Sequence, residues 1–174
     1  MAILKRLLIL FAIASLLPSC GYTLAKTGSQ AGPADGAYRV SVPMFVNDTF
    51  EPLIERELTS ALKDEIEQDG RWVLTDAANA DLAVSGRVTQ FDLQPLSYDA
   101  QERILEYRVR IKSDVKLTDI KTGKVIWKDP SIETFADYRV TEDITKSKIR
   151  KSEAVKKASK YFAEEFIIKV LDTF

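Results

Sequence analysis

Apolar and polar positions alternate from residue 38 to 45, with Tyr38, Val40, Val42 and Met44 on one side and Arg39 and Ser41 on the other. A period of two is that of a strand with one buried face. Pro43 cannot donate to a ladder, so this strand is expected to end there or to run along an edge. Asn47, Asp48 and Thr49 supply turn and capping chemistry, and Pro52 suits a first helical turn. Ile54, Leu58, Ala61 or Leu62, and Ile66 then recur at helical spacing, with charges between them and Gly70 as the stop.

Residues 72–75 predict a short strand, and residues 77–80 a helical or irregular link. From 81 to 93 the alternation returns through Leu82, Val84, Gly86 and Val88, with an irregularity near Phe91. A glycine inside such a run marks a bulge or a close backbone approach. Residues 95–103 read as a polar connection. A long strand follows, with Leu105, Tyr107, Val109, Ile111, Ser113, Val115 and Leu117 on one side and Glu106, Arg108, Arg110, Lys112, Asp114 and Lys116 on the other, solvated or facing a partner. A turn at 119–124 leads into a return strand reaching Phe135, its ladder interrupted by Pro130. Residues 136–145 have no clear period. From 147 to 171 the chain is helical, with a stripe of Val155, Ser159, Phe162, Phe166 and Val170 widened by Ala154, Ala158, Ala163 and Ile167. Two amphipathic helices and alternating strands each have one face to bury. The economical arrangement is a single α+β domain, a small mixed and largely antiparallel β-sheet packed by two α-helices on one face.

The first 20 residues belong to no such element. Lys5 and Arg6 precede an apolar stretch at 7–17 and a small-residue cleavage site, the three parts of an export signal. The stretch is too short to cross a hydrocarbon core, which needs about 20 apolar residues. Leu17-Pro18-Ser19-Cys20 resembles a bacterial lipobox, with Pro18 an unusual occupant of its position. Cys20 is the only cysteine, so an intramolecular disulfide is excluded and a free thiol in an exported protein would need its own explanation. Residues 1–19 are therefore expected to be a cleaved signal peptide, with Cys20 acylated and residues 20–37, which hold four glycines, forming a lipidated N-terminus and tether ahead of a domain at 38–174. Two or more acyl chains anchor a protein firmly, at about 0.8 kcal/mol for each buried methylene.

Signal removal takes two of the 25 basic residues and none of the 26 acidic ones, leaving 155 residues with a formal net charge of −3. Weak acidity together with export argues against a nucleic-acid partner. The chain has no histidine, which excludes Ser-His-Asp and Cys-His catalysis and the common imidazole zinc sites. Its carboxylates stand in no catalytic spacing: Glu55 and Glu57 diverge on a helix, and Asp76 and Asp81 flank a link as turn or cap residues. No cofactor is expected. Locally, the stretch 146–160 holds seven lysines and arginines against Glu153, and Arg103, Arg108 and Arg110 form a second basic group. Each group is either a solvated face or a surface for lipid or lipopolysaccharide phosphates.

Several segments together resemble the LptE family of outer-membrane lipopolysaccharide-assembly lipoproteins. They are Cys20-Gly21-Tyr22, Val42-Pro43, Asn47-Asp48-Thr49-Phe50-Glu51-Pro52, Leu58-Thr59-Ser60-Ala61-Leu62, the run from Ala80 to Val88, Tyr107-Arg108-Val109 and the run from Thr122 to Trp127. The resemblance implies a non-enzymatic protein, lipid-anchored at the outer membrane and facing the periplasm or lying in a barrel lumen. It implies a plug and assembly factor for a large β-barrel partner of LptD type, assisting delivery of lipopolysaccharide to the outer leaflet. It also implies lipopolysaccharide contacts near the turn before the long strand and near the segment leading into the last helix. Arg103, at a displaced position, Arg108, Lys146 and Lys148 are the candidates. The alternative is a freestanding periplasmic lipid-binding lipoprotein module, and a hydrolase using carboxylates alone stands third.

Overall fold

The computed structural model describes residues 38–171; the expected signal segment, Cys20 and the tether lie outside the described residues. Among these, six strands form one sheet: β1 (Tyr38–Ser41), β2 (Val46–Asn47), β3 (Trp72–Leu74), β4 (Leu82–Tyr98), β5 (Ile104–Asp119) and β6 (Val125–Arg139). Helix α1 (Ile54–Asp69) follows β2, and α2 (Ile144–Leu171) follows β6. The strand order is β3-β1-β4-β5-β6, with β2 also paired to β4. β1 runs parallel to β3 and β4, β2 runs parallel to β4, and β4, β5 and β6 make an antiparallel meander. This is the α+β arrangement that the hydrophobic pattern predicts.

The first strand departs from its pattern in an informative way. β1 stops at Ser41, before Pro43, and is not an edge, since β3 and β4 flank it. Val40 and Val42 are buried as expected, yet Tyr38 and Met44 are exposed while Ser41 and Phe45 are buried. Pro43 ends the ladder, and the chain turns so that Phe45 rather than Met44 points inward. The Phe45 amide donates to Thr59 Oγ1 at 3.1 Å, and that hydroxyl donates to the Glu55 carbonyl at 2.6 Å, tying the loop to α1. The Phe45 ring lies directly over Gly86, where any Cβ would overlap it. Of the two readings of that glycine, close approach is the one realised.

Helix α1 buries Ile54, Leu58, Leu62 and Ile66 and ends at Gly70, whose left-handed φ of 71° lets its amide reach the Ile66 carbonyl. Its start is not capped as expected. Leu53 stands at the N-cap with φ 66° and no side-chain cap bond. Asn47 instead braces the loop from its other end, its amide donating to the Glu51 carbonyl and the Glu55 carboxylate while its Oδ1 accepts from the Thr49 amide. In α2 all nine residues of the expected stripe are buried. Phe162 meets Phe45 edge-on at 5.8 Å, and Phe166 meets Trp127 at 5.3 Å and Trp72 at 6.3 Å, closing one face of the sheet.

Three boundaries extend past their expected limits. β4 continues through Pro95 to Tyr98, so only residues 99–103 connect it to β5. β6 continues through Pro130 to Arg139. Helix α2 begins at Ile144, where Asp143 Oδ1 accepts from the Thr145 and Lys146 amides. Both prolines are tolerated in strands that border open edges.

The Phe45–Gly86 contact makes a quantitative prediction. Gly86→Ala is expected to cost about 1–3 kcal/mol by overpacking, and Phe45→Ala about 3–5 kcal/mol by cavity formation. Combined, they are expected to cost clearly less than their sum, because the smaller side chain makes room for the new Cβ. Urea unfolding of the three variants checks this.

Candidate functional site

With both helices on one face, the opposite face of the β4-β5-β6 meander is open. Its side chains are set by register: Gln90, Lys112 and Glu133 form one cross-strand row, Asp92, Arg110 and Phe135 the next, and Gln94, Arg108 and Asp137 the third. Paired residues point to the same side of a sheet, so opposite charges meet. Arg108 donates to both carboxylate oxygens of Asp137, at 2.7 and 2.9 Å, and its guanidinium lies 4.3 Å from the Phe135 ring centroid. Arg110 reaches Asp92 at 2.7 Å and Glu133 at 3.7 Å, and Lys112 reaches Glu133 at 3.0 Å. Arg87 makes a separate pair with Asp48 on the β2–α1 loop. The result is a mostly polar surface, around the half-exposed Phe135, whose charges in these rows are largely compensated internally.

The four basic candidates do not form one cluster. Arg108 belongs to this open face and is held by Asp137. Arg103 lies in the β4–β5 turn, where its backbone amide and side chain both donate to Asp99. Lys146 and Lys148 lie at the start of α2, with Lys146 3.7 Å from Asp143. The register puts Arg103 and the start of α2 toward the same end of the sheet, since Glu106 pairs with Arg139 and the Val140 amide donates to the Leu105 carbonyl. Arg108 points away from α2.

Lys148 has neighbours that the sequence pattern did not single out. With Lys151 it borders a mostly apolar groove of about 240 Å³ formed by Tyr107, Tyr138, Val140 and Ile144. Tyr107 and Tyr138 are register partners with rings stacked 5.7 Å apart, and burial pushes the Tyr138 hydroxyl up. Tyr138 and Val140 fall in the segment with no period, which hid the groove. Lys151 bridges to both oxygens of Glu51 at 2.8 Å. The basic run on α2 is thus partly consumed by structure. Among the described residues no group of three or more histidine, cysteine or acidic side chains could hold a metal ion, and no helix is long and apolar enough to cross a membrane.

A family model described as LptE, lipopolysaccharide-assembly, matches residues 38–170, which is nearly the whole described domain. The chain belongs to the LptE family. That membership makes it a non-enzymatic outer-membrane lipoprotein, anchored by lipid. No curated protein sequence matches the chain. Solved structures share the LptE-like fold at low identity. A Xanthomonas campestris protein of the DUF330 family has TM-score 0.58 at 13% identity, covering 83% of this chain and 90% of that one. Rare lipoprotein B from Shewanella oneidensis has TM-score 0.54 at 17% identity, covering 78% and 95%. Lipoprotein B from Nitrosomonas europaea has TM-score 0.52 at 14% identity, covering 76% and 81%. At such identities the likeness is one of fold.

The ion-pair rows predict an acid-sensitive face. Arg110 holds the Asp92 carboxyl below the usual carboxylate range, and Arg108 does the same for Asp137. A lowered folded-state pKa contributes stability that is complete above about pH 4 and is lost as the pH falls through the folded values. Denaturant midpoints measured from pH 6 downward are therefore expected to fall below about pH 4. The decline is expected to be shallower in Asp92→Asn and Asp137→Asn, whose midpoints at neutral pH start lower.

Proposed function

We propose that this LptE-family chain is the plug and assembly factor of an outer-membrane β-barrel of LptD type, assisting lipopolysaccharide delivery to the outer leaflet. In this reading the precursor is cleaved before Cys20, whose acyl chains tether the domain through residues 20–37. The observation that carries the reading is the open sheet face. Its rows of Arg108–Asp137, Arg110–Asp92 and Lys112–Glu133 are polar around the half-exposed Phe135, and the interior of a large membrane barrel is polar as well. A surface whose charges are already paired can enter such a lumen without stranding unpaired charge. The end of the sheet bearing Arg103, Lys146 and Lys148 then receives lipopolysaccharide, phosphates on the lysines and acyl carbon along the Tyr107–Tyr138 groove.

A second reading, the freestanding lipid-binding lipoprotein, has its own support. The Shewanella and Nitrosomonas structures are of lipoproteins, and these relatives favour the freestanding reading over the plug. The groove beside Lys148 would serve either role.

Photo-crosslinking in intact cells separates the two. A crosslinker at Lys112 or Arg110 is expected to capture one large β-barrel; capture of none, with lipid still co-purifying, would favour the freestanding module. Removing the anchor with Cys20→Ser is expected to abolish incorporation of labelled palmitate. Lys146→Ala with Lys148→Ala is expected to weaken retention of lipopolysaccharide by roughly tenfold, from two charge-assisted contacts on an exposed surface.

A further inference from the structure

The open sheet face is not uniform along its length. Toward the β4–β5 turn its cations are paired, but toward the other end two lysines break the rule. Lys116 on β5 and Lys128 on β6 are register partners, with Ser85 completing their row. Side chains directly opposite on one face stand about 5 Å apart at Cβ, where like charges repel. Both lysines are exposed. Among the described residues no carboxylate pairs with Lys116, Lys128 or nearby Lys124. The acids of this end are engaged elsewhere: Asp81 by Arg39 and Lys121, Asp69 by Arg71, Asp129 by Lys169, and Asp119 by Thr122 within its own turn. Asp114, the next acid along this face, sits opposite Arg87.

Apolar groups share this end. Lys116 and Lys128 border an open groove of about 540 Å³ with Val125, Ile126 and Trp127. Val125 and, in the adjoining turn, Ile120 are both more than 40% exposed. An arrangement of unpaired lysines around exposed aliphatic side chains matches an anionic bilayer surface, with charge for the headgroups and apolar tips for the interface below them.

The position of the chain's entry points the same way. Tyr38 begins β1 at this end, because β1 meets β4 at Leu82, and the neighbouring Ala83 pairs with Thr118, which pairs with Val125. Seventeen residues separate Tyr38 from Cys20. The 17 residues of β4 extend about 55 Å, placing the β4–β5 turn far from this entry point.

We propose that Lys116, Lys124 and Lys128, with Val125 and Ile120, form a docking surface for anionic glycerophospholipid headgroups at the anchored end of the domain. The inference rests on the Cys20 anchor proposed above. It gives the protein an orientation: the β5–β6 turn end of the sheet lies at the bilayer surface, and Arg103, Lys146 and Lys148 lie at the opposite end.

The test uses the mature-length chain with Cys20→Ala, so that no acyl chain contributes, and co-sedimentation with vesicles of phosphatidylglycerol and phosphatidylcholine in equal parts. Binding is expected to exceed that to pure phosphatidylcholine and to fall as salt is raised. Lys116→Gln and Lys128→Gln are each expected to lower partitioning about fivefold, and roughly 25-fold together. Lys63→Gln with Lys156→Gln, on the helices that cover the other face of the sheet, is expected to change it less than twofold. Binding that ignores vesicle charge, or that is lost equally with this helix pair, overturns the proposal, as does no binding by a chain whose circular dichroism is native. Palmitate labelling of the chain with Cys20 intact reports on the anchor separately, so failure of one reading is not mistaken for failure of the other.

Discussion

Phe162 and Phe166 seal the inner face of the sheet, and the character of every other surface follows from that seal. The two rings meet Phe45, Trp72 and Trp127 edge-on, joining α2 to the β1–β2 connection, β3 and β6 at once. Aromatic residues bury more area than any others, so a pair of them at the centre dominates the packing. Because the helices cover only one face, the side chains of the other remain in contact with water or a partner. Alternation along β5 then forces the charges of Arg108, Arg110 and Lys112 onto that open side.

Each open-face cation must find a partner or stay available for one. Along most of the face the meander supplies acids in register from β4 and β6, and the charges compensate. Such exposed pairs each contribute at most about 1 kcal/mol, so they define the surface more than they stabilise the fold. Where register brings Lys116 against Lys128, compensation fails. The two halves of one face thus differ in charge: compensated toward the β4–β5 turn, and cationic toward the β5–β6 turn.

The meander also sets the distance between functions. Strands of 15–17 residues carry the β4–β5 turn, and with it Arg103, far from the end where β1 begins. Helix α2 spans about 42 Å and returns along the same axis, leaving its basic start near that turn and its buried stripe over the sheet.

Periodicity alone determined most of the architecture, because one-sided burial writes itself into sequence at a period of 2 or 3.6. The α2 stripe, the α1 stripe, the Gly70 stop and the core side of β5 from Val109 to Leu117 were all legible on that ground. The absence of histidine likewise closed whole classes of catalytic chemistry by composition alone. Pairing partners were not legible, since register depends on which residues of distant strands lie opposite one another. Only the tertiary structure decided that Phe45 rather than Met44 turns inward, because that choice depends on the space above Gly86, 41 residues away. Only it separated Arg108, held by Asp137 on the open face, from Lys148 beside the Tyr107–Tyr138 groove. Charge type is a property of one residue; whether that charge is free is a property of what the fold places beside it.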